Sequence, residues 1–122
     1  MSEQIEKPGL PVVQLKAAGW GPFIYRKMVG RVPAGVQDGD LVAVVDKTGK
    51  PFGCGFYNAK SMITLRMVSW GPGAVDEKTF IDTRIARAVD LRRDVLRLDE
   101  VSDACRLVHA EGDQMPGLIA DR

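Results

Sequence analysis

Over five consecutive positions, Phe52-Gly53-Cys54-Gly55-Phe56 alternates a side chain with a glycine. In a strand, where successive residues face opposite sides, this puts Phe52, Cys54 and Phe56 on one face and bare backbone on the other. A glycine-lined face lets a strand bend sharply or lets a second backbone approach closely. A small sheet curls into a barrel in this way, so the pentapeptide restricts the chain around it to a curved, mainly β arrangement.

The neighbouring segments supply the rest of such a sheet. Leu41–Val45 is a continuous apolar run between Asp38-Gly39-Asp40 and Asp46-Lys47-Thr48-Gly49-Lys50, which predicts a strand covered on both faces and leading into a hairpin turn. Met62 to Ser69 predicts the next strand, with Ile63, Leu65 and Met67 on one face and Thr64 and Arg66 on the other. Val12 to Lys16 reads as a short strand after an irregular lead-in from Ser2 to Pro11. Phe23 to Met28 reads as one or two helical turns before Val29–Val32 extends again.

Trp70-Gly71-Pro72-Gly73 ends the β pattern, and the apolar period changes from two to 3.6 directly after it. Asp76 is placed to cap a helix running to about Leu98, with Ile81, Ile85, Ala88, Val89 and Leu96 in one stripe and Arg92 in its middle. Beyond it, Arg106–Arg122 reads as a hairpin: an apolar entry at Leu107-Val108, a polar turn at Glu111 to Gln114, and a second run at Leu118 to Ala120 that stops two residues before the chain does. A bare strand edge at that point leads to the expectation of a cut in a longer reading frame. The boundaries that follow are a barrel over residues 1–70 and a helix plus truncated hairpin over 71–122.

Composition narrows the class. At 122 residues and 45% apolar content the chain can bury a core. It holds no run of about 20 apolar residues and no basic-then-apolar leader, so a cytoplasmic location without membrane contact is the default expectation. The net charge of +1 hides an asymmetry: residues 1–70 carry nine Lys or Arg against five Asp or Glu, and residues 71–122 carry eight against eleven. A basic front half suits a polyanionic partner, although +4 over seventy residues is also ordinary solubility charge.

Few residues could carry catalysis. Cys54 and Cys105 have no metal-ligand spacing and read as buried thiols. His109 is the sole histidine; four residues along a strand separate it from Cys105 by ~13 Å, too far for a dyad. Glu111 and Asp113 could divide acid and base roles, but Gly112 between them marks an ordinary solvated turn. Arg92 on an apolar helix face must reach water or an acid, and Glu111, Asp113 and Asp121 are the candidates. For phosphate contact the candidates are Lys16, Arg26, Lys27, Arg31, Lys47, Lys50, Lys60 and Arg66, with Trp20 and Tyr57 available to stack on bases.

Taken together, Gly53–Ser69 (GCGFYNAKSMITLRMVS), Arg84–Asp94 (RIARAVDLRRD) and Arg106–Arg122 (RLVHAEGDQMPGLIADR) resemble the N-terminal part of the 23S rRNA cytosine-C5 methyltransferases that depend on S-adenosylmethionine and carry an N-terminal PUA domain. The likeness covers most of residues 36–122. It implies a PUA pseudo-barrel that binds structured RNA, a linking helix, and the start of a small α+β middle domain, with Arg92, His109, Glu111 and Asp113 in its opening motif. It also implies a C-terminal domain holding S-adenosylmethionine and the nucleophilic cysteine. No Gly-rich cofactor loop occurs in this chain, and neither Cys54 nor Cys105 matches the nucleophile, so the resemblance makes it a targeting fragment with no catalytic, cofactor or metal residue of its own.

The match departs at Lys16-Ala17-Ala18-Gly19-Trp20-Gly21-Pro22-Phe23, where family members carry a basic run and a His-Pro-Trp-like element. Arg66, Lys60 and Lys47 therefore rank ahead of Lys16 as RNA contacts, with Asn58 and Ser61 beside them. A rival reading makes the fragment a dimerisation or protein-interaction module. A third, a hydrolase using Glu111 and Asp113, lacks a completed pocket around them.

Overall fold

In the computed structural model, which describes residues 10–17, 19, 21–73 and 75–122, the chain divides into two units, Met1–Val75 and Asp76–Arg122. The first holds strands β1 (Val12–Gln14), β2 (Phe23–Tyr25), β3 (Leu41–Val45), β4 (Pro51–Tyr57) and β5 (Ile63–Trp70), in one sheet of order β1-β3-β4-β5-β2. β1 runs parallel to β3 and the other pairs are antiparallel. Leu41 to Val44 are buried without a break, as an uninterrupted apolar strand between two covered faces should be.

The sheet closes on itself. After β2 the chain returns to β1: Leu15 bridges Val29, and Gln14 donates its N–H to the Arg31 carbonyl at 2.9 Å. Closure removes the sheet's open edge at β1 and surrounds a core of Val13, Leu15, Ile24, Val42, Val44, Leu65 and Met67. The glycines of β4 permit the curvature. A Cβ on Gly53 would lie 2.1 Å from the Ser69 carbonyl oxygen, and one on Gly55 would lie 2.8 Å from that of Arg66. The pairing slips between Cys54 and Gly55, a bulge that bends the strand where its bare face meets β5.

One segment differs from its sequence reading. Phe23–Tyr25 is a strand, not a helical turn, and only Arg26–Met28 winds into a single 3-10 turn. Phe23 and Ile24 pair with Arg66 and Leu65, and this cross-strand pairing outweighs the weak local preference of a six-residue stretch. The lead-in falls, except for Leu10 and Pro11, outside the described residues, as does Trp20.

The second unit contains α1 (Glu77–Asp90), β6 (Arg106–His109) and β7 (Ile119–Asp121). Asp76 caps α1 as expected, its carboxylate accepting the Thr79 N–H at 3.1 Å. The helical winding continues beyond Asp90 as a π turn over Leu91–Val95, and Arg97 stops it with a left-handed φ of 55°. A π turn rotates whatever follows it off the original stripe. That is why Leu96, expected on the buried face, is 55% exposed, whereas Ala88 is 1% exposed. β6 and β7 pair antiparallel, with Val108 opposite Ala120, and Cys105 and Arg122 exchange backbone hydrogen bonds. The whole is mainly β with one long helix.

Candidate nucleic-acid interface

The basic residues of the sheet unit fall into separate groups. Between residues 10 and 75 there are eight Lys or Arg against Asp38, Asp40 and Asp46. The seven residues of β4 separate the β3–β4 turn, which carries Lys47 and Lys50, from the loop that carries Lys60. At ~3.3 Å per residue that is about 20 Å of strand. Lys47 and Lys60 therefore belong to different surfaces, a fact that their positions in the sequence do not reveal.

The first group is organised by Gln14. Its backbone carbonyl accepts from Gly30 at 2.7 Å and Arg31 at 3.1 Å. Its side-chain Nε2 donates to the carbonyls of Asp46 and Lys47, at 3.4 and 3.2 Å. Two residues along, the Lys16 N–H donates to the Met28 carbonyl at 2.9 Å. Lys16, Arg31, Lys47 and Lys50, all exposed, thus come from three chain segments into one neighbourhood. The carboxylate within it, Asp46, accepts from the Thr48 hydroxyl at 2.6 Å and from the N–H groups of Thr48 and Lys50 at 2.8 and 3.0 Å. These bonds, that from the Thr48 hydroxyl first, hold its pKa below the usual carboxylate value. It remains an anion spent on shaping its turn.

The second group surrounds the β4–β5 loop. Asn58 Oδ1 accepts the Lys60 N–H at 2.9 Å, and the Ser61 hydroxyl accepts that of Ile63 at 3.1 Å, so both side chains hold the turn. Arg26 donates to the Ala59 carbonyl at 3.1 Å, and Asp38 accepts the Ala59 N–H at 2.7 Å. Asp40 joins this side through its backbone carbonyl, which accepts the Tyr57 N–H. Two of the three acids thus lie by Lys60. Arg66 lies mid-strand on β5, its guanidinium 5.1 Å from the Phe23 ring centre.

Of the expected stacking residues, Tyr57 is half-buried and packs against the core. Trp70, assigned by the sequence only to a boundary, is 53% exposed. Its ring meets Phe52 edge-on with centres 5.5 Å apart, two residues from Lys50. An aromatic directly before a strand-ending Gly-Pro pair is the one signal the sequence offers.

In the second unit, Arg92 chooses Asp113 among its three candidate acids. The two form a bidentate pair at 2.7 and 2.8 Å, their side chains 12% and 8% exposed. Asp113 also accepts the His109 N–H, tying the 3-10 turn Ala110–Asp113 back to β6. The Arg92 guanidinium, and secondarily that N–H, hold the Asp113 carboxyl below its ordinary range. Arg106 spans from Asp121 at 2.7 Å to the His109 ring at 3.4 Å. Glu111 shares the turn but not this pair, and the arrangement braces a hairpin against a helix. Among the described residues no group of three or more His, Cys, Asp or Glu is placed to hold a metal ion.

Because the folded Asp113 ionises below the value of about 3.9 expected in an unfolded chain, the pair's stabilisation is fully present above pH ~4 and is lost as pH falls through the folded value. Denaturant unfolding between pH 7 and pH 3 should show this acid loss. Asp113→Asn, having no carboxylate to titrate, should show a shallower one; identical slopes would contradict the assignment.

Residues 18–70, nearly the whole sheet, match the family model of a PUA-like domain. The sheet unit is a PUA-like domain. The chain that includes this domain is 32% identical over 103 residues to ribosomal RNA large subunit methyltransferase I of Erwinia tasmaniensis. To the protein of that name in Vibrio vulnificus it is 35% identical over 101 residues. Each match takes in 83% of this chain and 25% of the relative, so the chain spans about a quarter of their length. A solved chain from Streptococcus mutans, described as a SAM-dependent methyltransferase, superposes with a TM-score of 0.61 over 89% of this chain and 30% of its own. At 14% identity this is a likeness of fold. Among the described residues, no helix is long and apolar enough to cross a membrane.

Proposed function

We propose that this chain is the RNA-targeting part of an S-adenosylmethionine-dependent rRNA cytosine-C5 methyltransferase that acts on 23S rRNA in the cytoplasm. In this reading residues 1–70 bind folded RNA as a PUA barrel. Residues 71–122 are the linking helix and the opening of a middle domain, in which Arg92, Asp113 and the His109 N–H form the first brace and Glu111 sits in the same turn. The methyl donor and the nucleophile belong to a further domain, and the chain alone turns nothing over. The observation that carries the reading is the match of residues 18–70 to a PUA-like domain. Relatives bearing the name of a ribosomal RNA methyltransferase, and five surplus positive charges between residues 10 and 75, support it.

Binding of this kind works chiefly through phosphate and shape, because A-form RNA hides its base edges in a deep groove. Lys16 and Lys47 are among the exposed cations offered to phosphate, and Asn58 and Ser61 fix the loop that carries Lys60. Sedimentation velocity with and without a folded 23S rRNA fragment separates this reading from a dimerisation module. The chain should sediment as a monomer alone and move with the RNA at low salt. Concentration-dependent self-association without RNA, and no co-sedimentation with it, would replace RNA targeting by the homodimer.

A further inference from the structure

We propose that the RNA-contacting surface of the PUA-like domain is the Gln14-centred group of Lys16, Arg31, Lys47 and Lys50 together with Trp70, and that it takes RNA with an unpaired base beside a phosphate run. The inference rests on the RNA-binding reading and names the surface that performs it.

Three observations converge. First, Gln14 joins segments that are distant in the sequence, bonding Arg31 with its backbone and the Lys47 carbonyl with its side chain, so the four cations have a fixed platform. The β3–β4 turn that carries two of them is itself rigid, because Asp46 accepts three hydrogen bonds within it. A platform ordered before binding loses less entropy when it meets phosphate. Second, the charge is lopsided. Among the described residues, four cations here face one carboxylate already committed to its turn, whereas Asp38 and Asp40 lie with the Lys60 loop. Third, Trp70 supplies an exposed aromatic face held by Phe52, and Phe52 follows Lys50 by two residues. Cations that track a backbone beside an aromatic that accepts a base are the elements from which unpaired nucleotides are bound.

The test is fluorescence anisotropy of the 122-residue chain with two labelled RNAs, a hairpin with an unpaired loop and a fully paired duplex of similar length. Each phosphate contact contributes a slope of about 0.7 in log K against log salt, which near 0.1 M salt is about fivefold in affinity. Lys47→Ala and Lys50→Ala should each weaken hairpin binding about fivefold and flatten the slope by about 0.7, while Lys60→Ala, removing the same charge, changes affinity less than about twofold. Trp70→Ala should weaken hairpin binding about tenfold and leave duplex binding unchanged, with Trp70→Phe restoring most of it and circular dichroism confirming the fold. Loss on Lys60→Ala with Lys47→Ala and Lys50→Ala unaffected would overturn the assignment of the surface yet leave RNA binding standing. Equal loss on both RNAs from Trp70→Ala would overturn the unpaired-base element. No binding of either RNA at low salt would overturn the surface and the functional reading together.

Discussion

Replacing Gly53 by alanine is expected to unfold the sheet unit or to cost it at least about 3 kcal/mol, the upper end for overpacked cores. The added Cβ would stand 2.1 Å from the Ser69 carbonyl oxygen, 3.1 Å from its carbonyl carbon and 2.9 Å from the Met67 methyl. The methyl can move. The Ser69 backbone is held by its pairing with β4, in which Cys54 lies opposite Ser69 and Gly53 opposite Trp70. Either the β4–β5 pair opens or the barrel loses its curvature, and against a total stability of 5–15 kcal/mol for an ordinary domain neither loss is small. Gly49→Ala is the matched control: Gly49 has a φ of 89° but nothing within 4 Å of its added Cβ, so it should cost only about 1–2 kcal/mol of backbone strain. Denaturant unfolding of the two variants decides the point. Equal, small losses would show that β4 and β5 do not approach as closely as described.

The second large effect is expected from Arg92→Met. Methionine keeps most of the apolar stem but leaves the Asp113 carboxylate without its bidentate partner at a site only 8% exposed. Breaking a fully buried pair from one side costs 3–5 kcal/mol. Asp113 keeps the His109 N–H and both side chains retain a little solvent, so about 2–3 kcal/mol is expected here. The Arg92→Met, Asp113→Asn double variant should lose less than the sum of the singles, since much of each single loss is the orphaned partner. Amide exchange at Val108 and Ala120 locates the effect: faster exchange there, with β3 and β4 unchanged, is the expected pattern. Full additivity of the two variants would mean that the pair is geometric only.

How far the sequence reveals this depends on whether local pattern or tertiary pairing decides each element. β3 is legible because five apolar residues sit between two turn-forming clusters. β4 is legible because glycines alternating with large side chains suit a strand that bends or meets a second backbone closely, and Gly53 and Gly55 do both. β2 is not, since three residues become a strand only by pairing with β5, some forty positions away. The helix start follows from Asp76, whereas its end does not: no Gly or Pro marks Arg97, and nothing in the 3.6 period announces the π turn that exposes Leu96.

The candidate site divides in the same way. That Arg92 needs an acid is a statement about desolvation and can be made from sequence; that the acid is Asp113 depends on the 3-10 turn that carries it. The basic residues could be named in advance but not grouped. Barrel closure brings Arg31 to Gln14, and the length of β4 carries Lys60 away from Lys47. Trp70 escaped notice because its Gly-Pro-Gly neighbourhood accounts for it equally well as a boundary.

The central claim, that this PUA-like domain binds RNA through phosphate, is tested most directly by the affinity of the chain for a labelled 23S rRNA fragment across a salt series from about 50 to 200 mM. The account predicts a linear fall of log K with log salt, with a slope of about −2 to −3 for three or four phosphate contacts. A flat line, or no binding at the lowest salt, would contradict it.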